Sequence, residues 1–288
     1  MGGSSGTRLV PLKHDGLDRA YLLHEPPVAG ASPRPLVVQL HGRGIGAAIF
    51  DRMTGFSALA DTEGFVVALP EGRHEVWNDG RGVRLGPGPL PDDVGYLLAV
   101  VDDVCSRVRI DPQRIYLVGM SNGAAMAGRL VCEAPGRFAA LAQVSGAAGV
   151  EVTSRCRDAG PLPILHIHGA DDRMAPYRGG VRRGLIARLV LRVAARPSIG
   201  VDAWAQQWIA ANGAAPEPTI TRVAPDVELR SWRGAGPQSN IDFYRIEGGG
   251  HTWPGSTFRL PRIILGRTSS FDATRTIWAF FAAHRRAT

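Results

Sequence analysis

The chain has 288 residues, of which 44% are hydrophobic and 20% charged, and its formal net charge is +7. It is long enough for a substantial core in one large α/β domain or two small ones, and no stretch approaches the roughly 20 uninterrupted apolar residues that span a bilayer. The positive balance rests on arginine, with Lys13 the sole lysine; without zinc-finger spacing, an aromatic RNA-binding motif or a lysine-rich tail, it does not point to a nucleic-acid partner.

The opening "MGGSSG" has neither the basic nor the apolar region of a signal peptide. Residues 1–6 read as a leader, disordered or added ahead of the natural start, and 7–288 as one catalytic domain. "AYLLHEP" (20–26) and "PLVVQL" (35–40) read as strands, and the second runs into the glycine-rich "HGRGIG". "GFVVALP" (64–70) is the next strand. Residues 72–91, rich in Gly and Pro with Trp77 and Asn78 among them, then interrupt the alternation. "DDVGYLLAVVDDVCSRVRI" puts Val94, Leu97, Leu98, Val101, Val104, Cys105 and Val108 on one helical stripe, with Asp92 and Asp93 at the end that favours negative charge.

"RIYLVG" (114–119) is a strand that gives way to the helix "NGAAMAGRLVCEAP", stopped before Pro135. "ALAQVSG" (140–146) and "PILHIHG" (163–169) follow as strands. Segment 177–200 carries six arginines and no carboxylate; it reads as a lid or rim, with a basic amphipathic helix for a membrane or partner as the other possibility. "VDAWAQQWIAANG" is a helix ending at Gly213, "DFYRIEG" (242–248) a strand, and "DATRTIWAFFAAH" a last helix with Ile277, Trp278, Phe280 and Phe281 inward. Most of the strands are too continuously apolar to face water on one side, which suits a mostly parallel sheet covered on both faces. Cys105, Cys132 and Cys156 are compatible with one disulfide and a free thiol, or with three thiols.

The chemistry lies at strand ends. Gly119-x-Ser121-x-Gly123 sits where a β-branched run meets a helix of small residues. A sharp strand-to-helix turn there strains the serine backbone, and neighbours without Cβ relieve the crowding. The same pattern at Gly2-Gly3-Ser4-Ser5-Gly6 lacks that context and carries nothing. A serine needs a base to take its proton, and His251 in "IEGGGHTWPG" is presented by a loop of three glycines after a strand. The base needs a carboxylate, and "LHIHGADDRMAPY" offers Asp171 and Asp172 just beyond a strand, without a spacing that chooses between them. The backbone N–H groups of Arg43 and Asn122 are candidates for an oxyanion hole, and His41 reads as ordering its loop. The order serine, aspartate, histidine is that of the α/β-hydrolases.

The motifs "LHGRG", "GFVVALPEG", "VWNDGR", "DDVGYL", "IDPQRIYLVGMSNGAAMAGRLVCEAP", "HIHGADDRMAPY" and "GGGHTWPG" resemble, in this order, those of the secreted esterase family that includes polyhydroxybutyrate depolymerase-like, LpqC-type, feruloyl and acetylxylan esterases. The resemblance covers residues 21–284. Its H-G-x-x-D-x-x-V-P-Y pattern lays the catalytic aspartate on Asp172, and it implies a serine esterase working through an acyl-enzyme, with no metal or other cofactor. The implied substrates are small or polymeric esters outside the cell, of polyester or plant-polymer origin, with a feruloyl or acetylxylan esterase or a short-acyl carboxylesterase as the alternative. The sequence departs from the family at Arg43, where relatives often carry Cys or Ser, and at Ala175, where Val or Ile is usual. Trp77 and Trp253 are expected to line the cleft, where flat apolar faces suit aromatic or sugar-bearing esters. Two readings compete: a metallohydrolase built on His166, His168, Asp171 and Asp172, and a hydrolase fold that binds without catalysis.

Overall fold

The structure, a computed structural model, describes residues 6–27, 32–82, 89–149, 152, 156, 159–180, 197–258 and 265–286. Most of the expected lid or rim (181–196), part of the Gly/Pro-rich stretch (83–88) and residues 1–5 of the expected leader lie outside them.

Ten strands form one sheet: β1 (Gly6–His14), β2 (Leu17–Glu25), β3 (Arg34–Leu40), β4 (Val66–Pro70), β5 (Ile110–Met120), β6 (Ala140–Val144), β7 (Ile164–Gly169), β8 (Thr219–Ala224), β9 (Val227–Trp232) and β10 (Ile241–Ile246), in spatial order β1-β2-β4-β3-β5-β6-β7-β10-β9-β8. The six central strands from β4 to β10 are parallel, and an antiparallel pair extends each side. The predicted strands all belong to the centre, apart from β2. The sequence reading did not identify β1, β8 and β9. β8 is exposed along nearly its whole length, so it lacks the apolar run that marks a buried strand. Gly6 opens β1 opposite Glu25 and so belongs to the fold and not to a leader.

Successive side chains on a strand point to opposite faces, and the core divides accordingly. Leu36, Val38 and Leu40 pack on one side with helices α3 (Asp93–Arg107), α4 (Asn122–Glu133) and α5 (Val201–Asn212). Val37, Tyr116 and Val118 pack on the other with α1 (Ala47–Thr54), α2 (Phe56–Glu63) and α6 (Ala273–Ala282). This is the mostly parallel, doubly covered architecture of the α/β-hydrolase fold. α1 and α2, eight residues each, were not foreseen.

Local signals work as their chemistry requires. Asp92 caps α3 by accepting the Gly95 N–H, and Gly213 closes α5 in the left-handed conformation. One detail of the α3 stripe differs from expectation: Cys105 turns to solvent. Asp93 is fully buried, where it accepts a hydrogen bond from Arg19 at 2.9 Å. Cys132 and Cys156 form a disulfide, and Cys105 is a free thiol.

Candidate active site

Ser121 occupies the turn between β5 and α4 with φ 56° and ψ −116°. A residue with a Cβ in this region costs about 1–3 kcal/mol and persists only where its surroundings enforce it. The enforcement is close packing. A Cβ on Gly123 would run into the Leu40 and His41 carbonyls at the end of β3, and one on Gly119 would run into the Gly123 carbonyl. The bare backbone therefore lets α4 start directly against the β3 loop.

His251 follows β10 and Asp172 follows β7; these strands are parallel neighbours, so both loops emerge at the same edge of the sheet. His251 Nε2 lies 2.9 Å from Ser121 Oγ and Nδ1 lies 2.7 Å from Asp172 Oδ2. A carboxylate only accepts, so the Nδ1–H donates to Asp172 and Nε2 is left to accept the serine proton. Asp172 Oδ1 accepts the backbone N–H groups of Met174 and Ala175, each at 2.8 Å. His251 and Asp172 are buried, at 5% and 4% exposure. Burial works against the Asp172 charge, yet the attraction and hydrogen bond of His251, with help from His168 and the Ala175 N–H, hold its carboxyl below the usual carboxylate value. Asp172, and not Asp171, thus faces the imidazole.

Asn122 is the first residue of α4, where a backbone N–H has no partner within the helix. Gly42 lies against Ser121, since a Cβ added there would come 3.5 Å from the serine Cβ, which brings the Arg43 backbone into the same neighbourhood. His41 orders this loop, as expected from the sequence. It is fully buried, accepts the Gly72 N–H on Nε2 at 2.9 Å and donates Nδ1–H to the Gly42 carbonyl at 2.8 Å. Burial drives its pKa down to about 4, so it stays neutral even with Glu71 Oε2 at 3.7 Å.

Trp77 and Trp253 are not where the sequence reading put them. Trp77 is fully buried, with its indole N–H on the His41 carbonyl at 2.9 Å. Trp253, 2% exposed, packs edge-on against Phe50 and Phe56 and donates to Thr274. Each indole finds both an apolar bed and a hydrogen-bond partner inside the core, and that decides its position. The pocket at Ser121 is lined instead by Arg81, Ser145, Gly146, Met174 and Pro176 among others.

Sequence reasoning missed Asp79. It is 1% exposed, accepts from the Asn122 side-chain amide at 2.6 Å and pairs with Arg81, so it ties the residue after Ser121 to the pocket wall. Its position in "WNDGR", within a loop rich in Gly and Pro, was the available signal. His166 and His168 bond to each other at 3.1 Å, so their facing nitrogens engage one another and do not converge on a shared third atom.

The sequence pattern of the family described as Esterase PHB depolymerase matches residues 19–159. The chain is 35% identical over 262 residues to NocK of Nocardia uniformis subsp. tsuyamanensis, a protein named as an esterase, covering 88% of this chain and 76% of that one. It is 24% identical to feruloyl esterase B of Piromyces equi over 77% of this chain, spanning 40% of that longer protein. Its fold resembles that of LpqC, a poly(3-hydroxybutyrate) depolymerase from Bordetella parapertussis, with a TM-score of 0.51 at 18% identity, covering 86% of this chain and 85% of the other.

Proposed function

The chain belongs to the Esterase PHB depolymerase family and is a carboxylic ester hydrolase, and from that premise we propose that Ser121, His251 and Asp172 carry out its reaction through an acyl-enzyme. His251 Nε2 takes the Ser121 proton as Oγ attacks the ester carbonyl. The backbone N–H groups of Arg43 and Asn122 hold the developing oxyanion, and the alcohol leaves with the proton from His251. Water, deprotonated by the same imidazole, then releases the acid. Asp172 keeps the Nδ1–H tautomer in place and stabilises the imidazolium.

The observation that carries this reading is the continuous hydrogen-bonded series from Ser121 Oγ through both nitrogens of His251 to Asp172. Labelling by a fluorophosphonate probe tests it: wild type should label at Ser121, and a protein that stays unlabelled would be a binding fold without catalysis.

For substrate, we favour esters of small hydroxy acids, alone or in a polyester, over feruloyl esters. The support is the position of Trp77 and Trp253 in the core, which removes the aromatic platform expected for a ferulate ring, and the presence of Arg81 and Ser145 in the wall near Ser121. A panel of short-chain p-nitrophenyl esters, methyl ferulate, acetylated xylan and polyhydroxybutyrate separates these classes. We further propose that residues 6–288 work as one catalytic domain and that the protein is secreted. The Cys132–Cys156 disulfide suits an oxidising compartment, and among the described residues no helix is long and apolar enough to cross a membrane.

A further inference from the structure

β7 carries two buried histidines that the reaction above does not use. His166 is fully buried and His168 is 2% exposed. As alternate residues they share a face of the sheet, where His166 stacks on Phe243 with ring centroids 4.9 Å apart. With both rings neutral, the hydrogen bonds assign every ring nitrogen. His168 Nε2 lies 2.8 Å from the Ala175 carbonyl, which only accepts, so this nitrogen carries its hydrogen. His168 Nδ1 is then bare and accepts from His166 Nε2–H at 3.1 Å. That leaves His166 Nδ1 bare as well, buried and without a hydrogen-bond partner among the described residues. Burial lowers both pKa values, helped for His166 by its neighbour and opposed for His168 by Asp172 and the Ala175 carbonyl.

We propose that His168 is a positioning residue for Asp172, and that His166 serves to fix the His168 tautomer. The inference rests on the reading of Asp172 as the acid of the catalytic series. Ala175 is held from both sides: its carbonyl accepts from His168, and its N–H donates to Asp172 Oδ1. His168 Nε2 also lies 3.5 Å from Asp172 Oδ2, the oxygen that receives the His251 proton donor. With its hydrogen on Nε2, His168 presents a positive dipole end to both the carbonyl and the carboxylate. The other tautomer would turn a lone pair toward both and push the loop away. A buried His166 with an unsatisfied nitrogen makes sense as the group that excludes that tautomer, because an aliphatic residue at 166 could fill space but could not donate to His168 Nδ1.

Two measurements test this. Nitrogen-15 histidine spectra of the intact protein should show His166 and His168 neutral, both with hydrogen on Nε2, through the neutral pH range. A His168 protonated on Nδ1, or doubly protonated there, overturns the proposal without any variant. The second compares His168→Leu with His168→Gln, whose amide N–H can still reach the Ala175 carbonyl. His168→Leu should lower kcat about 30-fold with KM changed less than about twofold, and should weaken the downfield proton resonance of His251 Nδ1–H; His168→Gln should restore most of both. A His168→Leu enzyme with wild-type kcat and an intact resonance overturns the role, and so does a His168→Gln enzyme as slow as His168→Leu. Full turnover by Ser121→Ala would instead overturn the catalytic series itself, so the two failures are distinguishable.

Discussion

Gly169, the last residue of β7, and Gly249, three residues beyond the end of β10, meet backbone to backbone, so closely that a Cβ on Gly169 would collide with the Gly249 carbonyl. Asp172 follows Gly169 by three residues and His251 follows Gly249 by two, so this close approach lies at the base of the two loops that bring carboxylate and imidazole to 2.7 Å. Gly169→Ala must push the loops apart. It should cost about 2–4 kcal/mol of stability and, through displacement of the acid and base, about 100-fold in kcat. Denaturant unfolding and steady-state kinetics on a soluble p-nitrophenyl ester check both, and near-native values for the pair would show that the contact is slack.

Ser121 separates chemistry from strain. Ser121→Ala should lower turnover by roughly 10⁴–10⁶ with little change in stability. Ser121→Gly should be equally inactive but more stable than Ser121→Ala by about 1–3 kcal/mol, because φ 56° with ψ −116° is the mirror image of an extended conformation and only glycine adopts it freely. A glycine variant no more stable than the alanine variant would mean that the turn holds no strain.

Reduction of the Cys132–Cys156 disulfide, which closes a 24-residue separation between the last turn of α4 and the connection from β6 to β7, should lower stability by about 2–4 kcal/mol. Paired melting curves with and without reductant, and on Cys132→Ser/Cys156→Ser, measure it. KM on a small ester should be insensitive, since the bridge lies at the opposite end of α4 from Ser121.

Acid sensitivity follows from the buried histidines. His41 falls from an ordinary value of 6.5 to about 4, and His166 and His168 are lowered in the same direction. The folded state therefore refuses protons that the unfolded chain accepts. Stability is complete above the unfolded value near 6.5 and is lost as pH falls toward the folded values, by up to about 1.4 kcal/mol per pH unit for each such histidine. Asp172, whose pKa is depressed, adds a loss of the same sign at lower pH. Urea midpoints at successive pH values should fall below neutrality, and a flat profile would refute this account.

The sheet centre and the catalytic candidates were legible because each leaves a local mark. Buried parallel strands read as continuous apolar runs, and a serine between glycines at a strand-to-helix junction has few other uses. Trp77 and Trp253 were misplaced because a tryptophan next to a motif looks the same whether its ring faces a cleft or the core; the His41 carbonyl and Thr274 that satisfy their N–H groups lie far away in sequence. β8 and β9 were missed for the opposite reason: with polar residues on both faces, the edge strand β8 carries no apolar periodicity to read. His166 and His168 were noticed only through the competing metallohydrolase reading. Their mutual hydrogen bond and the Ala175 carbonyl, which only the fold brings near, give them a different use.

The strand order also governs when the enzyme can first act. The alcohol is set by β5, the acid by β7 and the imidazole only by β10, 130 residues beyond the serine. β10 lies between β7 and β9, so it completes the parallel block only after much of the polypeptide has been made. A chain emerging from the ribosome would carry its strained serine for some time with no base to ionise it, and recovery of hydrolytic activity during refolding would report the docking of that late strand.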